Sequence, residues 1–219
     1  MALVRSTALQ LKRLPPDPRN WRPNILLFAG NVIRRRRLVQ FGAWLALDRG
    51  ILTVADLRVG DLKEFGPQVP EIERSLNESL DHLGIPAFGE VEIVPEFVQG
   101  VIAAAQANGI AGIESNTVMF GWTGKAERRA EVLEIIEQLS TLGISAIICN
   151  PQPMEITSRR RRIHVWWGGL HNNGDMLVLL AHLLSLNPEW RDAVISAKSI
   201  ATSDMMEERN RRLLERVVS

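Results

Sequence analysis

Apolar and polar positions along the chain follow two rhythms, one typical of strands and one typical of helices. Short β-branched or apolar runs predict strands at residues 25–30, 51–57, 90–94, 117–121 and 144–149. Segments with a helical period separate them, so we predict four helices between the five strands. This alternation is typical of a mainly parallel sheet with helices on both faces, and it predicts an α/β fold.

The predicted helices differ in how much of their surface is apolar. The second has a stripe with a 3.6-residue period, with Pro70 near its first turn and Gly84 just past its end. Its stripe is Val69, Ile72, Leu76, Leu80 and Leu83, and that of the fourth is Val132, Leu133, Ile136 and Leu139. The first helix is apolar on nearly all sides from Leu38 to Leu47, which predicts deeper burial.

A break rich in proline and arginine, NPQPMEITSRRRR (150–162), interrupts the pattern. Beyond it the pattern restarts, with a strand at 163–168, a helix at 174–186, a strand at 193–198 and a helix at 204–218. We therefore predict an N-terminal amphipathic linker (1–19), a first α/β lobe (20–150), an inter-lobe linker (151–162) and a second, similar lobe (163–219).

The second lobe contains only two predicted strands, which cannot form a stable layer alone. They must extend the first sheet, pair with another chain, or belong to a lobe that continues beyond Ser219. We favour the last interpretation and expect the second lobe to be incomplete.

Composition indicates an ordinary globular protein, with 219 residues, 46% hydrophobic and 23% charged. The net charge of +1 gives no reason to expect a nucleic-acid partner. The single cysteine, Cys149, cannot form an intramolecular disulfide and suits a reducing cytosol. The longest apolar run, Phe41 to Leu47, is far shorter than the roughly 20 residues that span a bilayer, so we expect a soluble chain.

Four consecutive arginines, Arg34, Arg35, Arg36 and Arg37, lie at the predicted start of the first helix. The helix dipole disfavours cations there. This unfavourable placement suggests an anionic partner, such as lipid headgroups or an acidic protein surface. The alternative is a solvated basic patch.

The known phosphate and metal motifs are incomplete. The first strand is followed by FAGNVIRRRR, whose one glycine lacks the dinucleotide-binding spacing and which offers no carboxylates for a metal. The stretch GWTGKAE (121–127) has a Gly-Lys pair but not the Walker spacing, and Ala126 replaces the hydroxyl that would hold magnesium. We interpret Lys125 as a solvated residue at a helix start.

The stretch IHVWWGGLHNNGDMLVLLAHLL (163–184) has the strand, glycine turn and helix start that often hold a small anion. His171 and Asp175 have a spacing that suits a metal, but Gly174 lies between them. We interpret Asp175 as a cap or first-turn acid, and Gly168 and Gly169 as the bend of a scaffold corner.

Other residues of this stretch are given structural roles. His164 and His182 have no acidic or cysteine partner at ligand spacing, which indicates packed or surface histidines. Trp166 and Trp167 would each bury a large area in a sheet covered on both faces, the competing idea being a base-stacking platform. We predict no catalytic, cofactor-binding or metal-binding residues.

Three stretches together resemble the cytosolic C-terminal domain of prokaryotic-type cation-chloride cotransporters. NWRPNILLFAG (20–30) is similar to the Trp-Arg-Pro phrase that opens that domain. GIESNTVMFGW (112–122) resembles its Lys-Pro-Asn-Thr-Val stretch, with Glu114 and Ser115 in place of Lys-Pro. The stretch 163–184, followed by EWRDAVISAKSI, is similar to its Asp-Val-Trp-Trp phrase, glycine turn, leucine-rich helix and next strand.

The resemblance implies α/β lobes like those of universal stress proteins, in a non-catalytic regulatory domain that forms homodimers. It further implies a covalently linked transmembrane part that moves chloride with sodium or potassium, a location on the cytoplasmic side of the cell membrane, and residues 3–14 as the connecting segment. The arginine cluster would then lie within reach of anionic lipid.

Two other functions stay open. A nucleotide-sensing module of the universal-stress type is the main alternative, although Gly121 and Gly124 are not followed by the Gly-Ser or Gly-Thr of that ATP motif. The resemblance therefore implies no cofactor. A small α/β hydrolase or transferase is a third interpretation, which the lack of a Gly-x-Ser-x-Gly turn disfavours.

Overall fold

The computed structural model describes residues 21–47, 50–110, 113–152, 161–166 and 171–218. The chain divides into two compact units, Met1–Pro153 and Met154–Ser219. The predicted N-terminal linker lies outside the described residues, as does most of the predicted inter-lobe linker.

The first unit is built around a five-stranded parallel sheet with strand order β3-β2-β1-β6-β7, which confirms the predicted α/β class. Its elements are β1 (Ile25–Phe28), α1 (Arg36–Ala46), β2 (Leu52–Val59), α2 (Leu62–Phe65), a 3₁₀ turn (Gly66–Gln68), α3 (Val69–His82), β3 (Phe88–Val94), α4 (Phe97–Ala107), β4 (Gly109–Ile110), β5 (Ile113–Glu114), β6 (Thr117–Gly121), α5 (Ala126–Ser140) and β7 (Ser145–Cys149). The antiparallel β4–β5 pair and the short α2 were not predicted.

Both faces of the sheet are covered by helices. On one face, α4 and α5 pack on the even-numbered positions of β1 and β6; this cluster comprises Leu26, Phe28, Ala55, Val98, Val101, Ile102, Ala105, Val118, Phe120, Val132, Ile135 and Leu139. On the other face, α1 lies close enough that a Cβ added at Gly42 would be 3.2 Å from Leu52 Cδ1 and 3.5 Å from Leu27 Cδ2. The central strand β1 is therefore buried on both sides, as its uninterrupted apolar run requires.

The two ends of the sheet are fixed differently. At the amino ends of the strands, Asn24 and Asn116 tie the segments together: the Asn24 backbone N–H donates to Asn116 Oδ1 at 3.0 Å, and the Ile51 N–H donates to Asn24 Oδ1 at 3.1 Å. At the opposite end, β1 stops at Phe28, two residues earlier than predicted, because Gly30 takes a positive φ of 61° that turns the chain.

The apolar stripe of α5 differs from the prediction. Ile135 is fully buried, whereas Leu133 is 58% exposed. Val132 and Leu139 are buried as expected. The helix is therefore rotated by part of a turn from the predicted register, because two adjacent apolar pairs in its sequence allowed either stripe.

The second unit contains β8 (Arg162–Trp166), α6 (His171–Ser185), a 3₁₀ turn (Pro188–Trp190), β9 (Val194–Lys198) and α7 (Asp204–Val218). Strands β8 and β9 pair in parallel, with Arg162 opposite Val194 and Trp166 opposite Lys198. Buried residues of this unit include Val165, Ala181, Leu183 and Leu184.

Two predictions for the second unit are wrong. Helix α6 begins at His171, so Asp175 lies in its second turn, is exposed, and does not cap the helix. Asn and Gly are poor helix formers, but a buried Gly174 and the following apolar residues outweigh that preference. Trp166 is 57% exposed, so β8 is not covered on both faces. Trp167, Gly168 and Gly169 lie outside the described residues.

Candidate functional site: a basic cleft at the carboxyl end of the sheet

The strand order reverses between β1 and β6. The chain leaves β1 towards β2 and β3 on one side and returns to β6 on the other side of β1. In open α/β sheets the loops that follow such a pair of strands diverge and leave a crevice at the carboxyl end of the sheet, which is the usual ligand position. Here the two loops are residues 29–35 and 122–125.

The loop after β1 turns sharply into α1. Gly30 allows the turn, and the Asn31 side chain accepts a hydrogen bond from the Arg34 backbone N–H at 2.9 Å. The Arg35 N–H donates to the Asn31 carbonyl at 3.1 Å. These bonds form a first turn that presents Arg34 and Arg35 at the carboxyl end of the sheet.

The loop after β6 is fixed by contacts of its backbone. The Trp122 N–H donates to the Cys149 carbonyl at 2.7 Å, which continues the pairing with β7. The Arg129 guanidinium donates to the carbonyls of Thr123 and Gly124 at 3.1 and 2.9 Å. Because Arg129 holds two carbonyls, the loop has a defined shape, and Lys125 stands at the start of α5.

Between these loops lies a cleft of about 450 Å³. Its base is apolar, with the Phe28 and Phe120 rings stacked at 5.4 Å between centroids. Four cationic side chains line it: Arg34, Arg35, Lys125 and Arg128. The remaining lining residues are Ala29, Gly30, Asn31, Ala55, Leu57, Phe97, Gly121, Thr123 and Val132, so its described lining includes no carboxylate, histidine or cysteine.

Only one of these four cations is paired with an acid within the described part of the chain. Arg128 forms an ion pair with Glu131, in which Nη1 lies 3.0 Å from Oε2. The Cζ atom of Arg128 lies 3.8 Å from the centre of the Phe97 ring. Arg34, Arg35 and Lys125 have no ion pair among the described residues. The cleft therefore has an excess of positive charge over an apolar base.

A second groove of about 410 Å³ lies on the other side of the Arg34–Arg35 segment. It is lined by Ile33, Arg34, Arg35, Arg36, Arg37, Leu38, Gly121, Trp122, Asn150 and Pro151. The arginine cluster is exposed, and Ile33 and Trp122 beside it are 53% and 50% exposed. Arg36 and Arg37 line this groove and do not line the cleft.

The arginine cluster is evident in the sequence, whereas the cleft is not. Lys125 is exposed at a helix start, as predicted, yet it shares the cleft with Arg34 and Arg35, about ninety positions earlier in the chain. Only the order β2-β1-β6 brings the two loops together. The pattern of a single strand contains no signal for its neighbours.

The other candidate residues are not among those that line the cleft. His164 and His182 are exposed residues of the second unit. Burial raises the pKa of the Cys149 thiol to about 11, which disfavours a reactive thiolate. Within the described ranges, no group of three or more His, Cys, Asp or Glu side chains is arranged to hold a metal ion.

Among the described residues, no helix has both the length and the apolar composition that crossing a membrane requires. Two of the three stretches that carry the family resemblance, 20–30 and 112–122, belong to the first unit, where their described residues have structural roles. Asn24 and Asn116 link strand ends, and Thr117 is buried with its hydroxyl donating to Asn116 Oδ1 at 2.8 Å. These two asparagines therefore position the sheet from the end opposite the cleft.

No known family profile matches the chain. Its structure is similar to the crystal structure of the cytoplasmic domain of a prokaryotic cation chloride cotransporter, with a TM-score of 0.60 and 18% sequence identity. The similarity covers 89% of this chain and 74% of that one. The resemblance expected from the sequence is thus confirmed as a likeness of fold.

Proposed function

We propose that this chain is the soluble regulatory and dimerisation domain of a secondary-active cation-chloride cotransporter and has no catalytic activity of its own. The observation that carries the proposal is the likeness of fold to the cytoplasmic domain of such a transporter, over 89% of the chain. The three sequence stretches that resemble the family support it independently, because their order along the chain matches as well.

In this proposal the ions bind elsewhere in the full protein. Chloride, with sodium or potassium, would bind in a covalently linked transmembrane part, and the present domain would lie on the cytoplasmic side of the cell membrane. Its two α/β units would bias the transport cycle through contacts with the transmembrane part and with a second copy. A rigid sheet covered on both faces suits this role, since it transmits displacement without deforming.

The arginine cluster gives the domain a surface for anionic groups. Arg34, Arg35, Arg36 and Arg37 are exposed, and Ile33 and Trp122 add apolar area beside them. Basic residues next to exposed aromatic and aliphatic side chains are typical of surfaces that contact anionic lipid. We therefore propose contact with anionic lipid or with an acidic surface of the transmembrane part.

Transport measurements on the full-length protein test the assignment. The complete reading frame is expressed, purified and reconstituted into liposomes, and chloride uptake is followed with an inward gradient of sodium or potassium. We expect cation-dependent chloride uptake whose rate changes when residues 21–219 are deleted. Absence of chloride uptake by the well-folded full-length protein, or a reading frame without hydrophobic spans, would contradict the proposal.

Light scattering of the purified chain tests the dimer separately. We expect twice the mass of one chain, with a shift towards that of one chain on dilution. A mass that stays at one chain up to millimolar concentration would contradict dimerisation and leave the transport assignment to the liposome measurement.

A further inference from the structure

We propose that an extended peptide segment rich in Asp and Glu binds along β7, pairing its backbone with the open edge of the sheet and its carboxylates with the arginine cluster. Its acidic residues would lie in the arginine groove, the second groove described above, which the arginine cluster, Trp122, Asn150 and Pro151 help to line. The peptide would be the acidic partner that the proposed function assigns to the arginine cluster, so its identity rests on that function, whereas its binding mode follows from the sheet edge.

The first support is the open edge of the sheet at β7. The Ser145 N–H and the Cys149 carbonyl form hydrogen bonds of 2.9 and 2.7 Å with the residues that flank β6. Because backbone groups alternate in direction along a strand, those of Ala146 and Ile148 point away from β6. In the described part of the chain these outward groups have no hydrogen-bond partner, since β6 is the only strand that pairs with β7. The edge therefore offers two N–H and two C=O groups to a further strand.

The opposite edge of the sheet is protected, and β7 is not. On β3, Asn77 bonds to both backbone groups of Gly89, and Glu90 and Glu92 add charge. Covered backbone groups and charged side chains are the usual means by which edge strands avoid pairing with other chains. The sequence of β7 is SAIIC, without a charge or a proline, and Ile148 is 40% exposed. Its composition therefore favours pairing with a further strand.

The second support is the charge beside this edge. Asn150 and Pro151 follow β7 directly and line the arginine groove, so a strand added to β7, about 4.8 Å away, would end beside that groove. Within the described ranges, no member of the arginine cluster has an ion pair and the groove lining contains no acid. Carboxylates accept two parallel hydrogen bonds from a guanidinium group, so Asp and Glu side chains suit the cluster.

The position of α1 joins the two features. A Cβ added at Gly121 would be 3.0 Å from Leu38 Cδ2 and 3.3 Å from Arg35 Nη1, so the start of α1 lies directly over the end of β6. The exposed side chains of Ile33 and Trp122 add apolar area to the arginine groove. One extended segment would therefore reach the edge of β7, the apolar area and the guanidinium groups in succession.

Two other occupants satisfy only one of the two features. Anionic lipid would neutralise the arginine cluster, but it offers no row of N–H and C=O groups to Ala146 and Ile148. A second copy paired antiparallel through β7 would satisfy those backbone groups. It would, however, bring its own residues 142–145, which include no acid, beside the arginine groove. The observations therefore favour an acidic peptide.

Fluorescence anisotropy with a synthetic peptide tests the proposal. The labelled probe has four Glu residues followed by alternating Val and Thr, and the same peptide in reverse order allows for the other strand direction. The matched control peptides have Gln in place of each Glu. We expect the purified chain at low ionic strength to bind one acidic peptide at least about tenfold more tightly than its glutamine counterpart.

Two double variants separate the arginine groove from general surface charge. Arg36→Gln with Arg37→Gln removes two cations of the groove. Lys63→Gln with Arg74→Gln is the matched control, because it removes two exposed cations that do not line the groove. We expect the groove variant to weaken peptide binding at least about tenfold and the control variant by less than about threefold, with thermal melts showing that both fold.

Amide hydrogen exchange, followed by NMR, tests the strand edge in the unaltered chain. The N–H groups of Ala146 and Ile148 point outwards and should exchange at least about tenfold more slowly when the acidic peptide saturates the chain. The N–H of Ile147 points towards β6 and is the internal control, since its exchange should change little. Protection confined to the outward groups would show that the peptide pairs with β7 as a strand.

Four outcomes overturn the proposal. The first is equal binding of the acidic and glutamine peptides, or equal weakening in both double variants, which indicates unspecific attraction. The second is binding that depends on Arg36 and Arg37 but leaves the Ala146 and Ile148 amides unprotected. The third is no peptide binding together with flotation on phosphatidylglycerol vesicles that the groove variant abolishes, which assigns lipid. The fourth is protection of the outward amides without peptide in a chain that light scattering shows to be a dimer, which assigns the edge to a second copy. Chloride uptake by the full-length protein tests the transport assignment alone.

Discussion

The carboxyl group of Glu90 on β3 lies in an unfavourable environment for a charge. Burial is the largest cause that raises its pKa, followed by repulsion from Glu92 and a smaller repulsion from Glu73. The Asn108 side chain opposes this by donating to Glu90 Oε2 at 3.0 Å. The net result is a pKa above the ordinary value, so the ionised form opposes folding.

Replacement of Glu90 by Gln is therefore expected to stabilise the protein at neutral pH. A carboxyl with a raised folded-state pKa destabilises the fold above that pKa and has no such effect below its unfolded-state pKa, where both states are protonated. Urea unfolding of the wild type and of Glu90→Gln should show a gain in unfolding free energy at pH 7 that disappears by about pH 3.5. A gain of the same size at both pH values would indicate packing instead of charge.

The thiol of Cys149 provides a second test at this scale. Burial raises its pKa from 9.0 to about 11, so at pH 8 the reactive thiolate is about a hundredfold less populated than in an unperturbed thiol. We expect iodoacetamide to modify folded Cys149 at least about a hundredfold more slowly than the same chain unfolded in urea, measured by intact mass. Equal rates in the two states would contradict the burial of the thiol.

At the scale of elements, the side chain of Asn77 links helix α3 to the edge strand β3 by two hydrogen bonds. The Gly89 N–H donates to Asn77 Oδ1 at 2.9 Å, and Asn77 Nδ2 donates to the Gly89 carbonyl at 3.0 Å. Gly89 is required for this approach, because a Cβ there would be 2.7 Å from Leu76 Cγ. Asn77 thus satisfies backbone groups that an edge strand would otherwise leave unpaired.

Replacement of Asn77 by Ala leaves both buried backbone groups of Gly89 without a partner. We expect a loss of about 1–3 kcal/mol in unfolding free energy, measured by urea denaturation. Ser79→Ala is the matched control, since among the described residues the Ser79 hydroxyl bonds only to the Ser75 carbonyl in the same helix. It should change stability by less than about 0.5 kcal/mol. Equal losses of unfolding free energy in the two variants would show that the Asn77–Gly89 hydrogen bonds do not stabilise the packing of α3 on β3.

The same scale shows what the sequence could and could not predict. The positions of the central strands β1 and β6 followed from apolar runs, since both are buried along most of their length. The stripe of α5 was misplaced because Val132, Leu133, Ile135 and Ile136 allow two faces, and only packing against α4 selects Ile135. The cleft was missed because strand order, a long-range property, brings Lys125 to Arg35.

At the scale of the whole molecule, the two units differ in the number of strands in their sheets. The first has five parallel strands with helices on both faces and a continuous buried cluster. The second has two strands among its described residues, with Trp166 57% and Ile195 42% exposed. Three or more strands with a covered apolar face are the usual minimum for an independent sheet, so the second unit is expected to need apolar surface from outside itself.

Expression of the two units as separate fragments tests this difference. Residues 1–153 contain the whole five-stranded sheet and should unfold cooperatively, as seen in a sigmoidal thermal transition by circular dichroism. Residues 154–219 should show helical signal without a cooperative transition, because two strands and two helices bury too little apolar area to offset the loss of chain entropy. The full chain is the control. A sharp transition for the second fragment at micromolar concentration would show that its exposed strand surface is compatible with independent folding. It would remove the physical reason to expect a completing partner for that unit.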